Sequence, residues 1–176
     1  MGERQGGYFW DLEGKRLMDV HVNGGTFSLG HRNPEVIHAL IEATAQCDIG
    51  NHHFPSVVKA KLAKTLVETA TPGMTHAIYG SSGGEIVDLA LKTAHHATGR
   101  KRIISVQNCY HGHTGIAVTT GADRFAEIFL AQGTEKTNTK VPFNDLDAME
   151  EALKQNDAAC VNNMAHSISL MRCNAA

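Results

Sequence analysis

A run of five small residues, GSSGG at 80–84, has the composition of a site that captures an anion. An amphipathic segment follows it, so the run would lie at a helix start, where the first backbone amides lack intrahelical partners and the helix dipole is positive. Glycines let a phosphate approach the backbone, and serine hydroxyls add donors. No lysine follows and the spacing is not GxGxxG, which favours one phosphate over a di- or triphosphate. A tight turn without a ligand explains the run equally well.

The run is predicted to lie between a short strand at 77–79 and a helix that ends near Thr98. Ser82 and Glu85 stand three residues apart, which is the spacing of a capping box at a helix start. Gly99 stands where a left-handed C-terminal cap is needed. The apolar residues of this helix repeat at the spacing of one buried face: Ile86, Val87, Ala90, Leu91 and Ala94.

Short apolar strands and amphipathic helices alternate along the chain, which predicts an α/β fold with a mostly parallel sheet. Buried strands are expected at 103–106 and 157–161, and a hairpin at 7–22. Residues 116–118 can be a strand or the start of a helix. The remaining predictions are a helix from Asn33–Pro34, a helix over 54–70, an amphipathic segment over 123–131, a polar loop over 133–140 and a helix capped by Asn144 or Asp145.

The order of the motifs resembles the class III, ω-amino acid type aminotransferases. SSGGE at 81–85, TGRKRIIS at 98–105 and YHGHTG at 110–115 follow one another as in that family. The N-terminal signature of the family is matched by Asp11, Gly14, Lys15, Gly25, Gly30, His31, Pro34 and Val36. The resemblance runs from about residue 11 to about residue 159.

This resemblance implies the N-terminal part of the fold-type-I fold of pyridoxal-phosphate-dependent transferases, truncated. Its mostly parallel sheet would be flanked by helices. Residues 1–70 would form an N-terminal segment of a hairpin and helices, and 71–161 part of the large cofactor-binding domain. Residues 162–176 fit neither pattern and are interpreted as a divergent tail.

The resemblance also implies that the cofactor is pyridoxal 5′-phosphate. Its phosphate would be held, chiefly through backbone amides, by Ser82, Gly83 and Gly84. Tyr110 matches the aromatic residue that stacks on the pyridine ring, and His111 belongs to the same loop. Packing of a tyrosine at a strand end is the alternative for Tyr110. Many relatives have a hydroxyl-bearing residue or alanine where this chain has Gly84. In this chain, position 84 can therefore offer the phosphate only its backbone amide.

No catalytic residue is carried over to this chain. In the family, the lysine that forms the Schiff base and the aspartate that pairs with the ring nitrogen lie beyond the point where this chain ends. Asp157 does not match that aspartate, and no lysine matches the catalytic position: 15, 59, 61, 64, 92, 101, 136, 140 and 154. We expect a fragment that does not transaminate alone and whose 34–46 and 145–154 helices expose apolar faces.

Three functions are weighed. The first is an aminotransferase that moves an amino group from an amine or ω-amino acid donor to a keto acid acceptor, in a family of homodimers. The second is a non-catalytic fragment that acts by pairing with a full-length partner. The third, a nucleotide-binding module, is weakened by the missing P-loop lysine and by the absence of GxGxxG.

Composition restricts partners and location. A net charge of −2 without a basic run argues against a nucleic-acid partner, and no apolar run is long enough to span a membrane. The basic residues at 100–102 are interpreted as a solvated connection. Four scattered cysteines without CxxC spacing are expected to be reduced, in a cytoplasmic protein. The eleven histidines include adjacent pairs whose side chains diverge, so no metal site is expected.

Overall fold

The computed structural model describes residues 2–47, 54–129 and 137–162, and the chain divides into two compact units, with the boundary in the sequence between Ala77 and Ile78. The segmentation into 1–70, 71–161 and 162–176 stays a prediction, because residues 163–176 lie outside the described residues. Among the helices of the described residues, none has the length and apolar character that a membrane span requires.

The first unit contains a small antiparallel sheet in which the predicted hairpin is confirmed. The hairpin strands pair through Phe9 and Leu17, and the Asp11 carboxylate accepts hydrogen bonds from the amides of Glu13 and Lys15 in the turn. A short first strand, which the sequence did not indicate, pairs with the hairpin. The strands are β1 (Arg4–Gln5), β2 (Tyr8–Trp10) and β3 (Arg16–Met18).

Two helices complete the first unit; the first begins at the predicted Asn33 cap, and the second, predicted over 54–70, begins after Ser56. They are α1 (Pro34–Gln46) and α2 (Val57–Thr69). The Asn33 side chain accepts hydrogen bonds from two amides of the first turn of α1, and the Ser56 hydroxyl accepts one in α2. Neither helix has a buried residue. The prediction that the 34–46 helix exposes an apolar face is therefore confirmed.

The second unit is built on a parallel sheet with strand order β5-β4-β6, which confirms the α/β class. Its central strand is fully buried along its length. The elements of this unit, in chain order, are α3 (Gly83–Thr98), β4 (Arg102–Val106), α4 (Gly115–Thr120), α5 (Asp123–Ile128), β5 (Asn138–Val141), α6 (Leu146–Lys154) and β6 (Ala158–Asn162).

Helices cover both faces of this sheet because β4 alternates its side chains between them. On one face Ile103 packs in a cluster with residues of α3, α4 and β6: Val87, Leu91, Ala94, Ala117, Ala159 and Cys160. On the other face Ile104 and Val106 pack with Val141 and with Met149 and Ala152 of α6. The undecided segment 116–118 is therefore helical, and its apolar side covers the sheet.

Two local predictions about strands are wrong. Residues 77–79 form no strand. A strand needs a hydrogen-bonded neighbour, and none of the described strands pairs with 77–79. Conversely, the polar segment predicted as a loop over 133–140 ends in β5, which pairs with β4 through backbone bonds that its polar side chains do not hinder. Residues 133–136 lie outside the described residues. Asn162, assigned to the tail, is the last residue of β6.

Two predictions about surfaces are also corrected. The 100–102 connection is not solvated throughout, because the Arg102 guanidinium is buried and donates to the Asp157 carboxylate at 2.6 Å and to the Ala152 carbonyl at 2.6 Å. The 145–154 helix exposes only part of its apolar face: Leu146 and Leu153 are exposed as predicted, whereas Met149 and Ala152 pack against the sheet.

Candidate functional site

The start of α3 has the predicted geometry at the GSSGG run. Ser82 is the N-cap, and its hydroxyl accepts a hydrogen bond from the Glu85 amide at 3.2 Å. The Glu85 carboxylate reaches back to the amide of Ser81 at 2.7 Å, one residue earlier than in the usual capping box. At the other end Gly99 takes the predicted left-handed conformation, with φ 67°. The turn is thus a fixed helix start and not part of a continuous strand.

Two backbone amides at this helix start are available to a ligand. The N–H groups of Gly83 and Gly84 have no hydrogen-bond partner among the described residues. A Cβ at Gly83 would meet nothing within 4 Å, so space adjoins the first turn. Unpaired amides at the positive end of a sixteen-residue helix suit a phosphate, which is the group that the cofactor would present. These residues fit pyridoxal phosphate at its anionic end.

The loop after β4 closes directly onto this helix start. A Cβ built on Gly112 would lie 2.5 Å from the Gly84 Cα, and the φ of Gly112 is +100°. A Cβ on Gly84 would lie 3.0 Å from the Thr114 hydroxyl oxygen. Glycine is therefore needed at position 112 for the two backbones to approach so closely, whereas position 84 is crowded mainly by the Thr114 side chain. A larger residue at position 84 would therefore require Thr114 to move.

Tyr110 lies in that same loop, two residues before Gly112. Its ring makes edge contacts with Phe125 and His113, at centroid distances of 5.3 and 5.1 Å, and the side chain remains 49% exposed. Packing at a strand end, which was the alternative role considered for Tyr110, therefore covers only part of the ring. The remaining surface can contact a flat aromatic ligand. Contact between Tyr110 and the cofactor stays a prediction.

His111 differs from Tyr110 in burial. Its side chain is 2% exposed, and neither ring nitrogen has a hydrogen-bond partner in the part of the chain that the structure describes. Burial lowers the pKa of His111 below its usual value, and the Lys140 charge lowers that pKa further. The imidazole is therefore neutral at pH 7.

Asp88 is a polar residue of this region that was not singled out from the sequence. It lies on the buried face of α3, and its carboxylate accepts a hydrogen bond from the Ala117 amide at 2.7 Å. The only sequence signal was a carboxylate placed beside Val87 and Leu91 on an apolar helix face. Within the described ranges, no group of three or more His, Cys, Asp or Glu residues is arranged to hold a metal ion.

Comparison with known proteins places this geometry in a family. The family model for class III aminotransferases matches residues 1–174. A protein of Archaeoglobus fulgidus named "Uncharacterized aminotransferase" is 44% identical over 158 residues, which is 89% of this chain and 36% of that protein. The [LysW]-aminoadipate semialdehyde/glutamate semialdehyde transaminase of Sulfolobus acidocaldarius is 37% identical over 73% of this chain and 33% of its own length. The chain thus spans about a third of the length of these relatives.

Solved structures agree in fold. The taurine:2-oxoglutarate aminotransferase of Bifidobacterium kashiwanohense, solved with PLP and glutamate, superposes with a TM-score of 0.81 at 24% identity, over 92% of this chain and 41% of that one. An omega-transaminase from Sphaerobacter thermophilus gives a TM-score of 0.74 at 28% identity, over 92% and 40%. Pyridoxal phosphate is the cofactor of this family. The fold, the motif order and the match over residues 1–174 show that the chain belongs to the class III aminotransferases.

Proposed function

We propose that this chain forms the phosphate-binding and ring-stacking part of the pyridoxal phosphate pocket of an aminotransferase. The observation that carries the proposal is the contact between Gly84 and Gly112, because it joins the unpaired amides of α3 to the loop that holds Tyr110. A phosphate bound at the first turn would thus have an exposed aromatic ring on a neighbouring segment. One cofactor presents both of these groups, an anion and a flat ring.

Each residue has a separate task in this proposal. The amides of Gly83 and Gly84 and the Ser82 hydroxyl hold the phosphate, and Tyr110 orients the pyridine ring. Because the His111 ring is buried, it supports the loop and does not touch the pyridine ring. When bound, the cofactor supplies the electron-accepting ring that amino-group transfer requires.

The reaction proposed for the whole enzyme is transfer of an amino group from an amine or ω-amino acid donor to a keto acid acceptor. Relatives whose names specify a substrate include the aminoadipate semialdehyde/glutamate semialdehyde transaminases. A semialdehyde has its reacting carbonyl remote from a carboxylate, so its aminated form is an ω-amino compound, which supports the proposed donor class. By itself the chain is proposed to be inactive, because none of its lysines matches the position that binds the cofactor covalently.

A second candidate function is association with another copy or with a full-length partner. The exposed apolar side chains of α1 favour it: Val36, Ile37, Leu40 and Ile41 are all exposed. A homodimer in the cytoplasm is proposed, since family resemblance and this surface both support self-association. The test is sedimentation of the native chain and of a Leu40→Lys/Ile41→Lys variant. Dimers that persist unchanged in the variant would contradict a role for α1.

Cofactor binding is tested by titrating the chain with pyridoxal phosphate in a calorimeter. Gly83→Asp is the informative variant, because the space around Gly83 admits the side chain while its carboxylate repels a phosphate. Gly83→Asn has nearly the same shape without the charge and is the control. We expect Gly83→Asp to abolish binding and Gly83→Asn to retain most of it. Equal affinity in both variants would refute the phosphate site.

Inactivity of the chain alone is tested by incubation with pyridoxal phosphate, an amine donor and pyruvate, with alanine as the measured product. No turnover is expected. Sustained alanine formation would show that one of the nine lysines serves as the catalytic base. The proposal of an inactive fragment would then fail, while the phosphate site would remain to be judged by the titration.

A further inference from the structure

Asp88 connects two helices that the candidate pocket depends on. It is 7% exposed, in the second turn of α3, and its Oδ1 accepts a hydrogen bond from the Ala117 amide at 2.7 Å. Ala117 is in the first turn of α4, where backbone amides lack intrahelical partners. Asp88 therefore caps α4 from outside that helix.

The start of α4 depends on this external cap. Its N-cap residue, Thr114, makes no side-chain capping hydrogen bond. The negative charge of Asp88 lies at the positive end of the α4 dipole, which stabilises both groups. In α3, α1 and α6 the N-cap residue provides its own side-chain bond, so α4 differs from the longer capped helices in this respect.

Gly115 makes room for the carboxylate. Its φ is +29°, and a Cβ built there would lie 2.6 Å from the Asp88 Oδ2. A side chain at position 115 would therefore displace Asp88. Four residues earlier on α3, Gly84 receives Gly112 at a similarly close approach. Residues 84 and 88 lie one turn apart on the same helix face, so α3 holds the 112–115 segment at two points.

We propose that Asp88 is a positioning residue that fixes the Tyr110 loop relative to the phosphate-binding turn. The inference rests on the proposed function, in which Tyr110 orients the pyridine ring. Tyr110 lies between the end of β4 and the segment that Asp88 and Gly84 hold, so its ring position depends on both attachments. Loss of the Asp88 carboxylate leaves the phosphate site on α3 intact and releases only the loop.

Two probes separate these effects. Pyridoxal phosphate reports on the phosphate site and the ring contact together, whereas inorganic phosphate reports on the helix start alone. Asp88→Ala is expected to weaken pyridoxal phosphate binding about five- to tenfold, which is the range of one aromatic contact, and to leave phosphate binding unchanged. Asp88→Asn keeps an oxygen acceptor for the Ala117 amide and is expected to restore most of the affinity.

A double-mutant cycle tests whether Asp88 acts through Tyr110. If it does, Asp88→Ala combined with Tyr110→Ala weakens pyridoxal phosphate binding no more than Tyr110→Ala alone. Asp157→Ala is the matched control, because it removes another hydrogen-bonded carboxylate, at the opposite, amino-terminal edge of the sheet. Additive losses, or an equal loss of phosphate affinity in Asp88→Ala, would overturn the inference.

A measurement independent of the cofactor distinguishes failure of this inference from failure of the proposed function. Backbone hydrogen exchange at 110–117 should accelerate in Asp88→Ala and not in Asp157→Ala. If the native chain binds no pyridoxal phosphate but exchange accelerates in this way, the cofactor proposal fails and the attachment by Asp88 stands. Unchanged exchange at 110–117 refutes the attachment.

Discussion

Helices α1 and α3 have similar sequence patterns, but the apolar stripe of α1 is exposed and that of α3 is buried. Each begins at a side-chain N-cap, carries an acidic residue in its first turn and has an apolar stripe at helical spacing. The stripe of α3 is buried through Val87, Leu91 and Ala94. The stripe of α1 is exposed through Leu40 and Ile41.

The difference comes from what lies opposite each stripe. Helix α3 packs on a parallel sheet whose central strand presents Ile103, which is fully buried. In the first unit the sheet is antiparallel, its strands are two or three residues long, and His31 is the one buried residue among those the structure describes. An amphipathic pattern therefore shows that a helix can bury a face, and the neighbouring element decides whether it does.

The largest effect expected from this comparison is at Leu91. Leu91→Ala leaves a cavity at a fully buried site and should lower the free energy of unfolding by about 2–5 kcal/mol. Leu40→Ala, at a side chain 62% exposed, should change it by less than about 0.5 kcal/mol. Urea unfolding of both variants provides the measurement. Similar losses would show that the α1 stripe is covered in solution.

The second-largest difference between the units is expected when one arginine of each is replaced by methionine. Arg102→Met removes a buried guanidinium and leaves the Ala152 carbonyl without its donor, which should cost about 1–3 kcal/mol of unfolding free energy. Arg16→Met loses only an exposed contact over the Tyr8 ring, at 4.8 Å, worth about 0.5–1 kcal/mol. Thermal denaturation compares the two variants. A larger loss for Arg16→Met would contradict the comparison.

Removal of a helix cap should lower the free energy of unfolding by the same amount in both units. Ser82→Ala in α3 and Asn33→Ala in α1 each delete a side-chain acceptor for amides of the first turn, and each should cost about 1 kcal/mol. The expected costs are equal because capping is a local interaction. Chemical denaturation of each variant checks this. A cost in α3 several times that in α1 would show that Ser82 also supports tertiary contacts.

The smallest expected effect is the loss of folding stability in acid that comes from one carboxylate in each unit. In both units this contribution to stability decreases as the pH falls. The hydrogen bond from Arg102 lowers the pKa of Asp157, and the hydrogen bond with His31 lowers the pKa of Asp19. A lowered carboxyl pKa stabilises the fold above the unfolded value of about 3.9, and this contribution is lost as the pH falls through the folded pKa. Carbon-13 NMR of the side-chain carboxyls should show both groups titrating below that value. Asp157→Asn should remove part of the acid-induced loss of stability.

The sequence alone determined the features that depend on a few neighbouring residues. The caps at Asn33 and Ser82 and the left-handed Gly99 were predicted and are present. Each is satisfied within about one helical turn, so the local sequence contains every group involved. The order of the motifs likewise indicated the class III family and the position of the candidate phosphate turn.

Only the tertiary structure decided which extended segments became strands and which polar groups were buried. Residues 77–79 have strand composition without a strand, whereas 138–141 have loop composition and pair with β4. Arg102 is buried because Asp157, 55 residues away, and other distant groups accept its hydrogen bonds. Asp88 is buried because the Ala117 amide meets it across 29 residues. A strand and a buried charge both require partners that are distant in the chain, and a local pattern contains no information about them.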